Sequence, residues 1–337
     1  MLFAFATQAQ THWQQVVNYT IDVRLDDVAD VLHAEETFVY HNNSPVALDT
    51  IWMHLWPNAY RDKRTALCEQ LDRTGELDLH FATDEERGWI DSLNFSSNAV
   101  TLQWGYHADH GDIAWIKLNG PLATGDSISI ATPFRVKIPD GKFSRLGHTD
   151  QAYYITQWYP KPAVFDAEGW QPMPYLTLGE FYSEFGSFDV SITVPKNYVI
   201  GATGVCRTPT ETSWMNDLAE KQYSETLSNG PSYFPPSDGE TKTIRYTQDK
   251  VHDFAWFADK RFMVRKSKVA LPSGRTVDTW AIFTPQNALL WNEATKYINE
   301  SVLRYSEWVG EYPYDACTAV DGTISAGGGM EYPMITI

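Results

Sequence analysis

The feature that most constrains this chain is a strict period of two near its start. Val17, Tyr19, Ile21, Val23 and Leu25 alternate with Asn18, Thr20, Asp22 and Arg24. Successive side chains of a strand point to opposite faces, so this run predicts a strand with one buried face. Asp26 to Asp30 is a turn, and Val31 to Tyr40 returns as a second strand. Further strand-like runs follow at 51–56 (closed by Pro57-Asn58), 89–93, 127–130, 134–138, 188–194, 198–204, 243–246 and 253–258. Residues 100–106 and 114–118 read as a hairpin around His107 to Asp112, and Pro133 reads as punctuation between two strands. Short strands with turns roughly every ten residues predict an all-β sandwich or saddle up to residue 262. Within that stretch, 61–87 is charged and holds one short helix. Residues 208–240 are polar, contain Asn229-Gly230-Pro231 and Pro235-Pro236, and read as a surface excursion.

The pattern changes after residue 262. Strands are predicted at 262–271 and 276–283, and Thr284-Pro285 reads as an N-cap with proline at the first helical position. Leu290, Ala294, Tyr297, Ile298, Ser301, Val302, Tyr305, Trp308 and Val309 then recur at helical spacing, predicting one long helix ended by Gly310. A strand at 317–320 leads to the glycines 327–329 and a last apolar run. Strand, strand, helix, strand, glycine turn, strand is how an α/β domain opens. The expected fold is mainly β, with a tail at 1–11, a saddle or sandwich domain at 12–262, and the start of an α/β domain at 263–337.

The 337 residues have room for two domains, and the net charge of −17 repels phosphate backbones and anionic membranes. Nucleic acid is therefore not an expected partner, whereas a substrate carrying a free amine is compatible. No stretch reaches the roughly 18 apolar residues of a membrane span. Cys68, Cys206 and Cys317 are far apart and odd in number, so neither a disulfide framework nor a Cys-x-x-Cys site is indicated, although one pair is not ruled out. The apolar, alanine-rich start, with Ala4-Phe5-Ala6 shaped like a cleavage site, reads as the end of a secretory signal and points to export, into a periplasm or the medium.

Two stretches carry chemistry. Ile155-Thr156-Gln157 delivers a glutamine from a strand end into a loop stiffened by Pro160 and Pro162, where its amide oxygen can face a bound amine. Taken alone, the stretch reads first as an ordinary tryptophan-rich loop. Gly327-Gly328-Gly329-Met330-Glu331 lets another backbone come close and holds one carboxylate beside it, or is a tight turn before a core strand. His107-Ala108-Asp109-His110 reads as a solvated turn, and His33-Ala34-Glu35-Glu36 as the surface side of a strand. No His-Glu-x-x-His, no Gly-x-Ser-x-Gly and no phosphate loop occurs.

Gly328-Gly329-Met330-Glu331-Tyr332 resembles the G-A-M-E-N exopeptidase motif of the M1 zinc metallopeptidases, the family of aminopeptidase N. Ala319-Val320-Asp321-Gly322, Gln157-Trp158-Tyr159-Pro160-Lys161, the stretch from Gly179 to Gly186, and the stretch from His252 to Ala258 are similar to a branch common among secreted bacterial members. The resemblance implies a β-saddle followed by a thermolysin-like catalytic domain. It implies that Glu331 binds the substrate's α-amine, that Gln157 assists, and that Gly328, Gly329 and Met330 lie along the peptide backbone. Gly329 replaces the motif's alanine, and Tyr332 its asparagine.

The implied substrate is a peptide with a free N-terminus, and the implied cofactor is Zn2+. The family's zinc ligands lie past this point, so the expectation is a fragment ending before the zinc motif. It would bind no catalytic zinc, be inactive alone, and need the remainder of the catalytic domain as its partner. The competing readings are a non-catalytic β-sandwich that binds carbohydrate or protein through its aromatics, and an M1-like protein without zinc.

Overall fold

The computed structural model describes residues 13–179, 181–221, 233–322 and 329–337. The proposed signal remnant, Glu180, and Gly327 and Gly328 lie outside the described residues.

Among the described residues the largest sheet has nine strands. The alternating run forms the strand Val16–Asp26, and Val17, Tyr19, Ile21, Val23 and Leu25 are all buried. It pairs antiparallel with Val31–His41 and parallel with Gly186–Pro195, which in turn pairs with Thr241–Val251. On the far side of Val31–His41 lies Ser127–Lys137. This is one continuous strand, where Pro133 had suggested two. Beyond it, Trp89–Asp91 pairs with residues 135–137 and Ser96 with Ala131. Pro133 falls in the gap between these partners, where a missing N–H disturbs no ladder.

Two four-stranded sheets pack on this layer. One orders 147–149, 152–155, 256–259 and 199–202, and the other 161–162, 48–54, 113–122 and 103–106. Residues 198–204 therefore leave the sheet that 188–194 belongs to. The predicted hairpin is present, with Gln103–Tyr106 paired to Ile113–Leu122.

The charged 61–87 segment holds two helices, α1 (Ala66–Thr74) and α2 (Asp78–Phe81). The presumed excursion after Thr208 begins with a third, α3 (Pro209–Glu220), which Pro209 starts at a position where no N–H is needed. The single long helix expected after Pro285 is divided. A 3-10 turn at Pro285–Asn287 leads to α4 (Ala288–Trp291), and α5 (Ala294–Trp308) follows. Asp321 explains the first break. It accepts from the Thr284 backbone amide and hydroxyl and from the Asn287 side-chain amide at 2.5–3.0 Å, which fixes a turn where a helix would otherwise begin.

The last sheet has five strands, ordered 263–270, 276–283, 316–320, 335–336 and 331–332. Helix α5 lies on it through Ile298 and Val302, against Val269 and Val277. A second apolar core joins this sheet to the rest: Val199, Phe257 and Phe262 meet Ile282, Val320, Tyr332 and Ile335.

Candidate functional site

The strand Ala152–Ile155 ends two residues before Gln157, as its sequence suggests. Gln157 stands at φ 52°, a left-handed conformation that side chains with a Cβ seldom adopt, and it is 2% exposed. Its amide faces inward. Nε2 donates to Asp253 Oδ2, and Oε1 accepts from Lys161 Nζ at 3.0 Å. Asp253 also accepts from Lys161 Nζ (3.0 Å), the Tyr159 hydroxyl (2.9 Å) and the Phe254 amide (2.8 Å), so this buried carboxylate is fully hydrogen-bonded. These bonds hold the loop in its strained turn. An amine could reach the Gln157 oxygen only by sharing it with Lys161 or displacing it.

Lys161 is 1% exposed, and its ammonium lies 5.1 Å from the ring centres of both Trp56 and Tyr159. Burial pulls the ammonium below the usual lysine range, against the opposing pull of Asp253. Glu36 shares this interior, 2% exposed, with both carboxylate oxygens lacking a hydrogen-bond partner. Burial holds its carboxyl well above the usual range, and Lys161 acts in the other direction. This corrects the surface reading of His33 to Glu36. Leu32, Ala34, Phe38 and Tyr40 are buried, and Glu36 falls in the same inward register. A carboxylate at an inward position of an alternating strand was the available signal.

The closing stretch forms a tight antiparallel hairpin, Glu331–Tyr332 against Ile335–Thr336, with Met334 at φ 66° in its turn. Met330 and Ile337 exchange both backbone hydrogen bonds, at 2.9 and 3.1 Å. Met330 thus turns its backbone inward. Backbone groups alternate sides along a strand, so Glu331 turns its N–H and C=O to the outer edge of the five-stranded sheet. No other described strand covers that edge. The Glu331 side chain is exposed, and among the described residues its carboxylate has no hydrogen bond or ion pair. Gly329, at φ 153°, enters the strand in a conformation that a side chain would strain.

Tyr332 links the two stretches. It is 7% exposed, its ring centre is 6.5 Å from that of Phe257, and its buried hydroxyl lies beside the buried Thr156 hydroxyl, neither holding a hydrogen bond of ordinary geometry. The residue after Glu331 therefore packs on the residue before Gln157. The arrangement presents an open strand edge that carries an unpaired carboxylate and is seated on a rigid loop through Tyr332. Such a surface can take an extended chain by strand addition and hold a cation at its end.

The other sequence candidates lie elsewhere. His107 and His110 stack at 5.3 Å in the turn between residues 106 and 113, and the three cysteines are free. Around Glu331 the described residues gather no set of histidine, cysteine and carboxylate ligands.

No family model matches the sequence, and no curated relative does. The fold is similar to solved M1 zinc metallopeptidases. A two-domain M1 zinc metallopeptidase mutant bound to L-arginine superimposes with a TM-score of 0.57 at 13% identity, over 96% of this chain and 60% of its own. The M1 zinc metallopeptidase from Deinococcus radiodurans gives a TM-score of 0.56 at 13% identity and the same coverage, as does a mutant of it bound to a Tyr-Ser-Ala substrate. The mainly β fold is thus that of these enzymes' N-terminal portion, and the chain spans 60% of their length.

Proposed function

We propose that this chain is the substrate-holding part of an exported zinc aminopeptidase that removes residues from the N-termini of peptides, with a saddle at 12–262 and the opening of the catalytic domain at 263–337. The observation that carries this reading is the outward edge at Glu331, seated on the Gln157 loop through Tyr332 and Thr156. Solved enzymes of similar fold hold an amino acid or a Tyr-Ser-Ala peptide, which fits an amine-anchoring site.

Glu331 would anchor the substrate ammonium by charge-assisted hydrogen bonds, and its own backbone would pair with the first peptide unit. Gln157 would reach the ammonium through the oxygen now bonded to Lys161, while Asp253 keeps the loop in place. Catching the terminus limits cleavage to one residue at a time. Zinc chemistry would come from residues outside this set, and alone the chain would show no peptidase activity.

The test is Glu331→Ala in the intact protein, assayed on an amino-acid amide and on the same compound N-acetylated. Loss of a hydrogen bond to a charged group is worth about 1.5–3 kcal/mol, so kcat/KM on the free amine should fall roughly 10- to 100-fold. An unchanged kcat/KM overturns the assignment. Equal turnover of the acetylated compound by the wild type overturns the aminopeptidase reading itself.

A further inference from the structure

A second cluster, remote in sequence from Glu331, brings three different metal-binding groups together in the 61–87 segment. Cys68 and Asp72 stand four residues apart on α1, hence on one face of it. Thr65 caps that helix, its hydroxyl accepting from the Cys68 amide at 3.3 Å. Gly75, at φ 86°, ends the helix and turns the chain back, so that α2 returns His80 to the same face. His80 Nδ1 lies 2.9 Å from Asp72 Oδ2, and Cys68 Sγ 4.0 Å from Asp72 Oδ1. The sulfur, a carboxylate oxygen and an imidazole nitrogen all fall within 4.8 Å of one another.

The surroundings suit a site more than an incidental cluster. Cys68 is fully buried, and Asp72 and His80 are about one-third exposed at the mouth. Arg87 Nη2 donates to the His80 carbonyl at 3.4 Å, which ties down the backbone that carries the imidazole. As it stands the thiol is no nucleophile, because burial and then Asp72 push it up to about 11.

We propose that Cys68, Asp72 and His80 bind a borderline-soft divalent cation, Zn2+ by donor type, with the fourth position open to water. A thiolate, an imidazole and a carboxylate are the ligands zinc selects. With bond lengths near 2.0 Å to N and O and 2.3 Å to S, tetrahedral donors sit roughly 3.3–3.6 Å apart, so the side-chain ends need to move by only about 1 Å. Binding displaces the thiol proton to solvent and leaves the imidazole neutral, its proton on Nε2. The metal would clip α1 to α2. This proposal does not rest on the peptidase reading.

The test is a titration of the metal-free chain with Co2+ as probe. One equivalent should produce a thiolate-to-cobalt charge-transfer band in the near ultraviolet and the visible bands of a tetrahedral ion, both removed by excess Zn2+. Cys68→Ser should abolish the charge-transfer band. His80→Ala, at a partly exposed position, should weaken affinity at least tenfold while far-ultraviolet dichroism stays that of the wild type. No band in the wild type, an unchanged band in Cys68→Ser, or undiminished affinity in His80→Ala each overturns the proposal. A His-Glu-x-x-His centre contains no sulfur, so the band also separates this site from a catalytic zinc.

Discussion

Two buried groups with opposed ionisation preferences give the chain a testable pH signature. Glu184, 4% exposed, is pushed up to about 7 by burial, against the pull of the Phe165 amide. Between about 4.5 and 7 the folded chain keeps this proton and the unfolded chain loses it. Stability then falls as pH rises, by about 1.4 kcal/mol per pH unit. His54 is pushed down to about 3 by burial and then by Lys161. Its Nε2 accepts from the Met173 amide at 3.1 Å, which places the ring proton on Nδ1. Below 6.5 the unfolded chain gains a proton that the folded chain refuses, so stability falls as pH drops, with the same slope.

From about pH 4.5 to 6.5 the two contributions cancel. Glu184→Gln should expose the acid sensitivity, losing about 1.4 kcal/mol per pH unit on going down from 6.5, relative to wild type. His54→Phe should show the reverse trend. Urea midpoints at several pH values between 5 and 6.5 check both, and parallel curves for wild type and variants would refute the pairing. Neither group stood out in the sequence, and Glu36 was read as surface. Composition weighs a carboxylate as polar, whereas its register on an alternating strand decides where it points. Gln157 was legible as a residue delivered by a strand end. Its capture by Asp253 was not, because that contact spans 96 positions.

At the scale of the element, strands were legible because alternation is a local signal. Helix α3 was missed because it buries charge. Glu211, 5% exposed, bonds Lys242 at 2.7 and 2.9 Å, and the Lys242 ammonium lies 3.7 Å from the ring centre of Trp214. A helix whose buried face includes an ion pair lacks an apolar stripe. Close approach of strands is also invisible locally. A Cβ on Gly186 would stand 1.6 Å from the Val17 carbonyl oxygen, beside the Val17 N–H bond to Phe185 at 3.1 Å. Gly186→Ala should therefore disrupt the parallel pairing and cost about 3 kcal/mol or more, read as a lowered denaturant midpoint. A loss under about 1 kcal/mol would show that these strands can part without penalty.

At the scale of the molecule, the sequence suggested a domain boundary near residue 262, and the first strand of the five-stranded sheet is Met263–Ala270. What the pattern could not show is the core shared across that point. Gly201 has no side chain because one would press on Ile282, Val320 and Ile335, at 3.0–3.4 Å. The sheet carrying Glu331 is thus seated directly on the sheet that leads to Gln157. Ile282→Ala, at a position 1% exposed, should cost about 2–5 kcal/mol. Far-ultraviolet dichroism and tryptophan fluorescence should still report one transition. Two separated transitions would mean that the two parts hold together independently of this core.

The parallel pairing of Val16–Asp26 with Gly186–Pro195 also sets a schedule for synthesis. Asn18 and its partner Ser187 are 169 positions apart. At about 5–20 residues per second, the early hairpin waits roughly 10–30 s on the ribosome with one long edge bare. An unpaired, alternating strand is what neighbouring nascent chains would pair with. Ribosome-arrested chains ending before residue 186 should be digested readily by protease, and chains extended well past 251 should resist. Equal resistance in both would show that the edge is shielded by other means.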